Sequence, residues 1–212
     1  FPHTTLFRSG TFAGALYRTA GPRLGQLPWT AFQVTPVGEI SLAFESGSRA
    51  TLRYTYREGT AVHAVTKSVR RMDFQAEVPA CVSSTGSRAA EWNVQDLWWD
   101  PLEPGWGLDL AHQGAVVFAT IFTYDTAGRD LWLVASRLER RADGSWYGDL
   151  LRTSSAGFDP HHWKGIAWRK VGTLEFHPVD GENGHAIFTV DGLHIEKQVR
   201  RMVYGGTVPA CR

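Results

Sequence analysis

Little in this chain points to thiol chemistry, metal binding or charge-driven recognition. Its 212 residues include only two cysteines and two methionines, and the formal charge is +1 at neutral pH. That balance, with no basic stripe, argues against a nucleic-acid partner. No apolar run is long enough to span a bilayer, and no low-complexity tail is present. No glycine-rich phosphate loop precedes a helix, and Ser154-Ser155 sits in no Gly-flanked nucleophile elbow. His161-His162 has no cysteine or further histidine at ligand spacing, so neither a metal nor a cofactor is expected. Helical periodicity is almost missing as well.

What the chain does have is aromatic residues and glycine. There are nine tryptophans, all but Trp29 between positions 92 and 168, and glycine stands at 22 positions. With 43% hydrophobic residues, this favours one or two twisted all-β domains with real cores. Period-two alternation agrees. Leu52, Tyr54 and Tyr56 alternate with Arg53, Thr55 and Arg57, which describes a strand with one wet face. Strands are expected near 96–99, 106–112, 115–124, 130–137, 144–152, 166–177, 184–190 and 193–204, with four more near 11–18, 37–44, 50–57 and 61–72. The fold class is therefore all-β, an antiparallel meander of about eight strands per module. It closes as a barrel or folds as a two-sheet sandwich.

Two stretches end alike. Lys67-Ser68-Val69-Arg70-Arg71-Met72 runs on to Val78-Pro79-Ala80-Cys81, and Lys197-Gln198-Val199-Arg200-Arg201-Met202 runs on to Val208-Pro209-Ala210-Cys211. Earlier segments align too: Gly10 to Thr19 with Gly144 to Thr153, and Val37 to Leu42 with Val171 to Phe176. The second copy is shorter at Asp191-Gly192, a hairpin signal that stands where the first has Arg57-Glu58-Gly59-Thr60. Residues 91 to 140 have no counterpart in the first copy. The expected organisation is the C-terminal half of one module over 10–81, followed by a complete module over 82–212. Residues 1–9 read like a translated sequencing adapter, differing in that frame by a tyrosine at His3, and are expected to be non-native. The chain as a whole reads as a gene fragment cut through its first module.

In a closed meander the first and last strands are neighbours. Cys81 precedes the first strand of the complete module and Cys211 follows its last, so the two could meet and clip the seam. The alternative is two unpaired cysteines after similar strands. A bond would imply an oxidising compartment.

The densest stretch runs from Asp96-Leu97-Trp98-Trp99-Asp100-Pro101 through Glu103-Pro104-Gly105-Trp106-Gly107 to Phe122-Thr123-Tyr124-Asp125 and Leu131-Trp132-Leu133-Val134. This pattern resembles a repeated β-domain of bacterial secreted or surface proteins, over nearly all of 91–204 and the matching half of 10–74. The resemblance implies an extracytoplasmic location and carries over no catalytic residue. From the residues themselves, Trp98, Trp99, Glu103, Trp106, Tyr124 and Trp132 are the candidate ligand-binding set. Aromatic faces stack on sugars, and carboxylates accept hydroxyl hydrogen bonds. The competing reading has the tryptophans filling the core. Three functions stay open: a non-catalytic module binding carbohydrate or a small ligand, a structural or adhesive repeat, and a hydrolase using Asp100 and Glu103.

Overall fold

The computed structural model describes residues 10–155 and 165–211, which form two compact units. The first comprises 10–19 with Gln33–Asp73, and the second Ala20–Phe32 with 74–211. Every regular element among the described residues is a strand.

The second unit contains a closed antiparallel barrel. Its strands are β6 (Asp96–Trp99), β7 (Gly107–Gln113), β8 (Val116–Tyr124), β9 (Asp130–Arg140), β10 (Trp146–Ser155), β11 (Ile166–Pro178), β12 (Asn183–Val190) and β13 (Leu193–Arg201). The eight follow one another round the barrel in chain order, and β13 returns to pair with β6, Arg201 opposite Trp98. Closure leaves no sheet edge for another chain to extend, and it excludes the sandwich. The expected strands differ from these by a few residues at their ends. The last expected strand, 193–204, stops at Arg201, where the Met202 amide turns to donate to the Leu97 carbonyl at 2.8 Å. Asp191 and Gly192 take φ of 47° and 85°, the two left-handed positions of a tight hairpin between β12 and β13.

Alternate residues of each strand point inward, and most of those positions are apolar, with His112, Lys197 and Arg201 among the buried exceptions. Leu108, Leu110, Ile121, Leu150, Leu174, Phe176 and Phe188 are fully buried, together with the rings of Trp98 and Trp146. Each such aliphatic or phenyl side chain contributes roughly 1.5–3 kcal/mol on burial. The interior is thus a filled core.

A two-stranded ribbon, β5 (Cys81–Ser84) with β14 (Val208–Cys211), places Cys81 opposite Cys211, and the two form a disulfide. Beside the seam, the buried Arg88 guanidinium bonds Asp96 at 2.6 Å and Glu182 at 3.2 Å, tying the loop ahead of β6 to the β11–β12 turn. Residues 20–32, assigned by sequence to the first module, pack instead on the barrel. Leu24 is buried and its amide donates to Thr123 Oγ1 at 3.2 Å, while Trp29 Nε1 donates to the Pro104 carbonyl at 3.2 Å. The physical reason is that Leu24 and Trp29 find apolar partners at the barrel's end.

The first unit is a four-stranded sheet in the order β1 (Thr11–Ala20), β2 (Gln33–Ser46), β3 (Arg49–Glu58) and β4 (Ala61–Arg70). Leu42 lies opposite Leu52, and Leu52 opposite Lys67. One face carries Leu16, Ile40, Leu52, Tyr54 and Val65, all half-buried.

Candidate functional site

The sequence-chosen residues do not converge on one site. Trp98 lies inside the barrel at 1% exposure, its Nε1 donating to the Val94 carbonyl at 2.9 Å and the Arg201 guanidinium standing over its ring at 4.9 Å. Trp106 is also buried, edge-on to Phe188 at 6.1 Å. Both belong to the core, because an indole whose N–H is satisfied internally gains more from burial than from exposure. Trp99 alternates outward and is half-buried opposite Arg200. Trp132 is the open platform of the set at 58% exposure, edge-on to Phe122 at 4.8 Å.

Glu103 is buried in the turn before β7. Its Oε1 accepts from Lys197 Nζ at 2.6 Å and its Oε2 from Trp106 Nε1 at 3.1 Å. Lys197 points inward from β13 between Ile195 and Val199, so the charge it buries is answered by a carboxylate on the opposite side of the seam. Asp100 accepts the Leu102 amide at 2.9 Å and so shapes the turn. Asp100 acts as a turn former and Glu103 as a buried counter-ion, so these two do not face each other across a cleft as acid and base.

Asp143, Glu175 and His177 bring their potential ligand atoms within 4.8 Å of one another. All three are engaged by their own chain: Asp143 takes the Ser145 hydroxyl at 2.7 Å, and Glu175 takes Arg141 at 3.0 Å and His177 at 2.6 Å. His161-His162 lies outside the described residues.

A concave feature of the barrel lies at the end that carries the β8–β9 and β12–β13 turns. A cleft of about 370 Å³ opens there, with Tyr124, Leu131, Leu133 and Ile195 forming apolar walls beside Leu24. Arg23, Arg152, Asp125 and Asp191 stand at its rim. The two acids are already paired. Asp125 accepts the Arg129 amide at 3.0 Å and the Arg129 side chain at 2.8 Å, which hold its carboxyl below the usual range. Asp191 meets Arg169 at 3.3 Å. Among the described residues neither Arg23 nor Arg152 has a carboxylate partner within ion-pair distance. The rim therefore offers positive charge over an apolar pocket. Of the expected set only Tyr124 lines it. Sequence reasoning missed the cleft because Arg23, Arg152 and Ile195 are far apart in the chain, and only closure brings them together.

At the opposite end His112 is fully buried, Nδ1 accepting the Val94 amide at 3.1 Å and Nε2 donating to the Gly114 carbonyl at 3.0 Å. Burial, with Arg140 and Arg201 acting in the same direction, holds its pKa below the ordinary value.

No family model matches this chain, and no match is found among curated proteins or solved structures.

Proposed function

We propose that the barrel is a non-catalytic, extracytoplasmic binding module that takes a small ligand with an apolar body and an anionic group at its open mouth. The observation that carries this reading is the cleft itself: apolar walls under two arginines that no described carboxylate neutralises. Barrel mouths lined by apolar side chains with a few convergent polar groups are a recurrent setting for small-molecule sites. The Cys81–Cys211 disulfide supports an oxidising compartment, as does the resemblance to secreted bacterial β-domains.

The test is a titration with 1-anilinonaphthalene-8-sulfonate, whose fused rings and sulfonate match that chemistry. Saturable one-to-one binding is expected, with affinity reduced about tenfold or more by Arg152→Glu. Leu193→Trp, at the exposed lip of the cleft, is expected to block it. No saturable binding to the folded chain, or binding indifferent to both variants, would leave the structural-repeat reading in its place.

A carbohydrate reading has one observation of its own. Trp132, Phe122 and Gly107 lie side by side on the outer wall of β9, β8 and β7, so the exposed Trp132 ring, braced edge-on by Phe122, stands beside a bare backbone position. A glycan array with the Trp132→Ala variant as control distinguishes this ring from the mouth.

A further inference from the structure

Strands β2–β4 of the sheet and β11–β13 of the barrel are paired in the same way. Leu42 faces Leu52 as Phe176 faces Ala186, and Leu52 faces Lys67 as Ala186 faces Lys197. The order β1-β2-β3-β4 matches β10-β11-β12-β13. A methyl group added to Gly38 would strike the Thr55 carbonyl, and one added to Gly172 would strike the Thr189 carbonyl. These are the positions that the two similar endings and the Val37 and Val171 segments align.

The surroundings differ. Leu150, Leu174, Phe188 and Ile195 are buried under β6–β9, while the aligned Leu16, Ile40, Tyr54 and Val65 are only half-buried. Among the described residues β1 and β4 have strands on one side only, so the sheet presents two open edges. One glycine makes the contrast sharper. Gly148 on β10 is needed where it stands, because a Cβ there would meet the Arg137 carbonyl and Leu138 of β9. Its counterpart Gly14 on β1 has nothing within 4 Å. A glycine in a strand interior weakens the strand and marks a close backbone approach. Among the described residues of the first unit, nothing makes that approach.

We infer that β1–β4 is an open half-barrel that takes a four-stranded antiparallel meander of the β6–β9 type, joined to β1 as β9 is joined to β10. The occupant's last strand would lie along Gly14, its first strand would pair with β4, and its inward apolar residues would cover Ile40 and Tyr54. The inference does not depend on what the barrel mouth binds.

The experiment grafts a second copy of residues 85–143 directly ahead of Gly10 and follows amide hydrogen exchange strand by strand. The outward-facing amides of β1 and β4 are expected to slow at least about a hundredfold relative to the ungrafted chain. The same graft with its Leu108 and Ile121 positions changed to Asp is expected to lose that protection. Gly14→Val in the host is expected to lose it at β1. Unchanged exchange at both edges overturns the inference. Concentration-dependent protection of those edges in the ungrafted chain also overturns it, since a second copy would then be the occupant. If the full graft fails to fold, a graft of residues 130–143 alone should protect β1 and leave β4 unprotected. No protection of β1 in that shorter form counts against the inference equally.

Discussion

The sheet β1–β4 and the barrel half β10–β13 share strand order, and β2–β4 share the register of β11–β13, yet one closes over a core and the other leaves its apolar face half-exposed. Local pairing is therefore not what separates them. The separation comes from β6–β9, which cover Leu174 and Phe188 and give Lys197 its carboxylate in Glu103. A β-sheet with one open apolar face and two edges is marginal by itself, whereas a closed barrel retains both its ladder hydrogen bonds and its burial.

Every tryptophan falls within the sequence range of the barrel unit, so tryptophan fluorescence follows the barrel alone. The largest effect on the comparison should come from reducing the Cys81–Cys211 disulfide, which closes a loop of sequence separation 130. In the chain-entropy model that loop is worth about 5 kcal/mol. Denaturant unfolding followed by tryptophan should lose most of that, while exchange in β1–β4 should not change.

Next comes Glu103→Ala, which leaves Lys197 buried without its counter-ion and should cost about 3–5 kcal/mol in the same assay. The double variant Glu103→Met with Lys197→Met should recover most of the loss, because it removes both charges. A double variant as unstable as the single one would show that the pair holds the β6–β7 turn by geometry rather than by charge balance.

Leu174→Ala should then cost about 3 kcal/mol and its aligned partner Ile40→Ala about 1 kcal/mol or less, since only the first empties a closed core. Equal costs would contradict the difference drawn between the halves.

The smallest effect is a pH dependence confined to the barrel. His112 has a folded pKa below its ordinary value of 6.5, so the unfolded chain takes up a proton that the folded barrel refuses. Its contribution is intact above 6.5 and is lost as the pH falls through the folded value. Urea midpoints read by tryptophan should decline on acidification over that range, and His112→Asn should flatten the decline.

Much of this architecture was legible from residues alone. Alternation at Leu52, Tyr54 and Tyr56 located β3, and Asp191-Gly192 marked the β12–β13 hairpin, because both signals are local. The meander order followed from short turns between consecutive strands. Candidate-site residues were harder to read. Trp98 and Trp99 are adjacent and chemically identical, and only the β6 register decides that the first enters the core and the second does not. Glu103 reads as an exposed turn acid until Lys197, far along the chain, points inward beneath it. Arg23 carried no signal at all, since the segment 20–32 has no strand pattern and finds its place only by capping the barrel with Leu24.

Native-state hydrogen exchange on the intact chain tests the central claim most directly. If burial rather than register sets stability, inner-strand amides of β11 and β12 should exchange together by the barrel's global unfolding, and the aligned amides of β2 and β3 should exchange at a clearly lower opening free energy. Matching opening energies at Leu174 and Ile40, and at Phe188 and Tyr54, would contradict it.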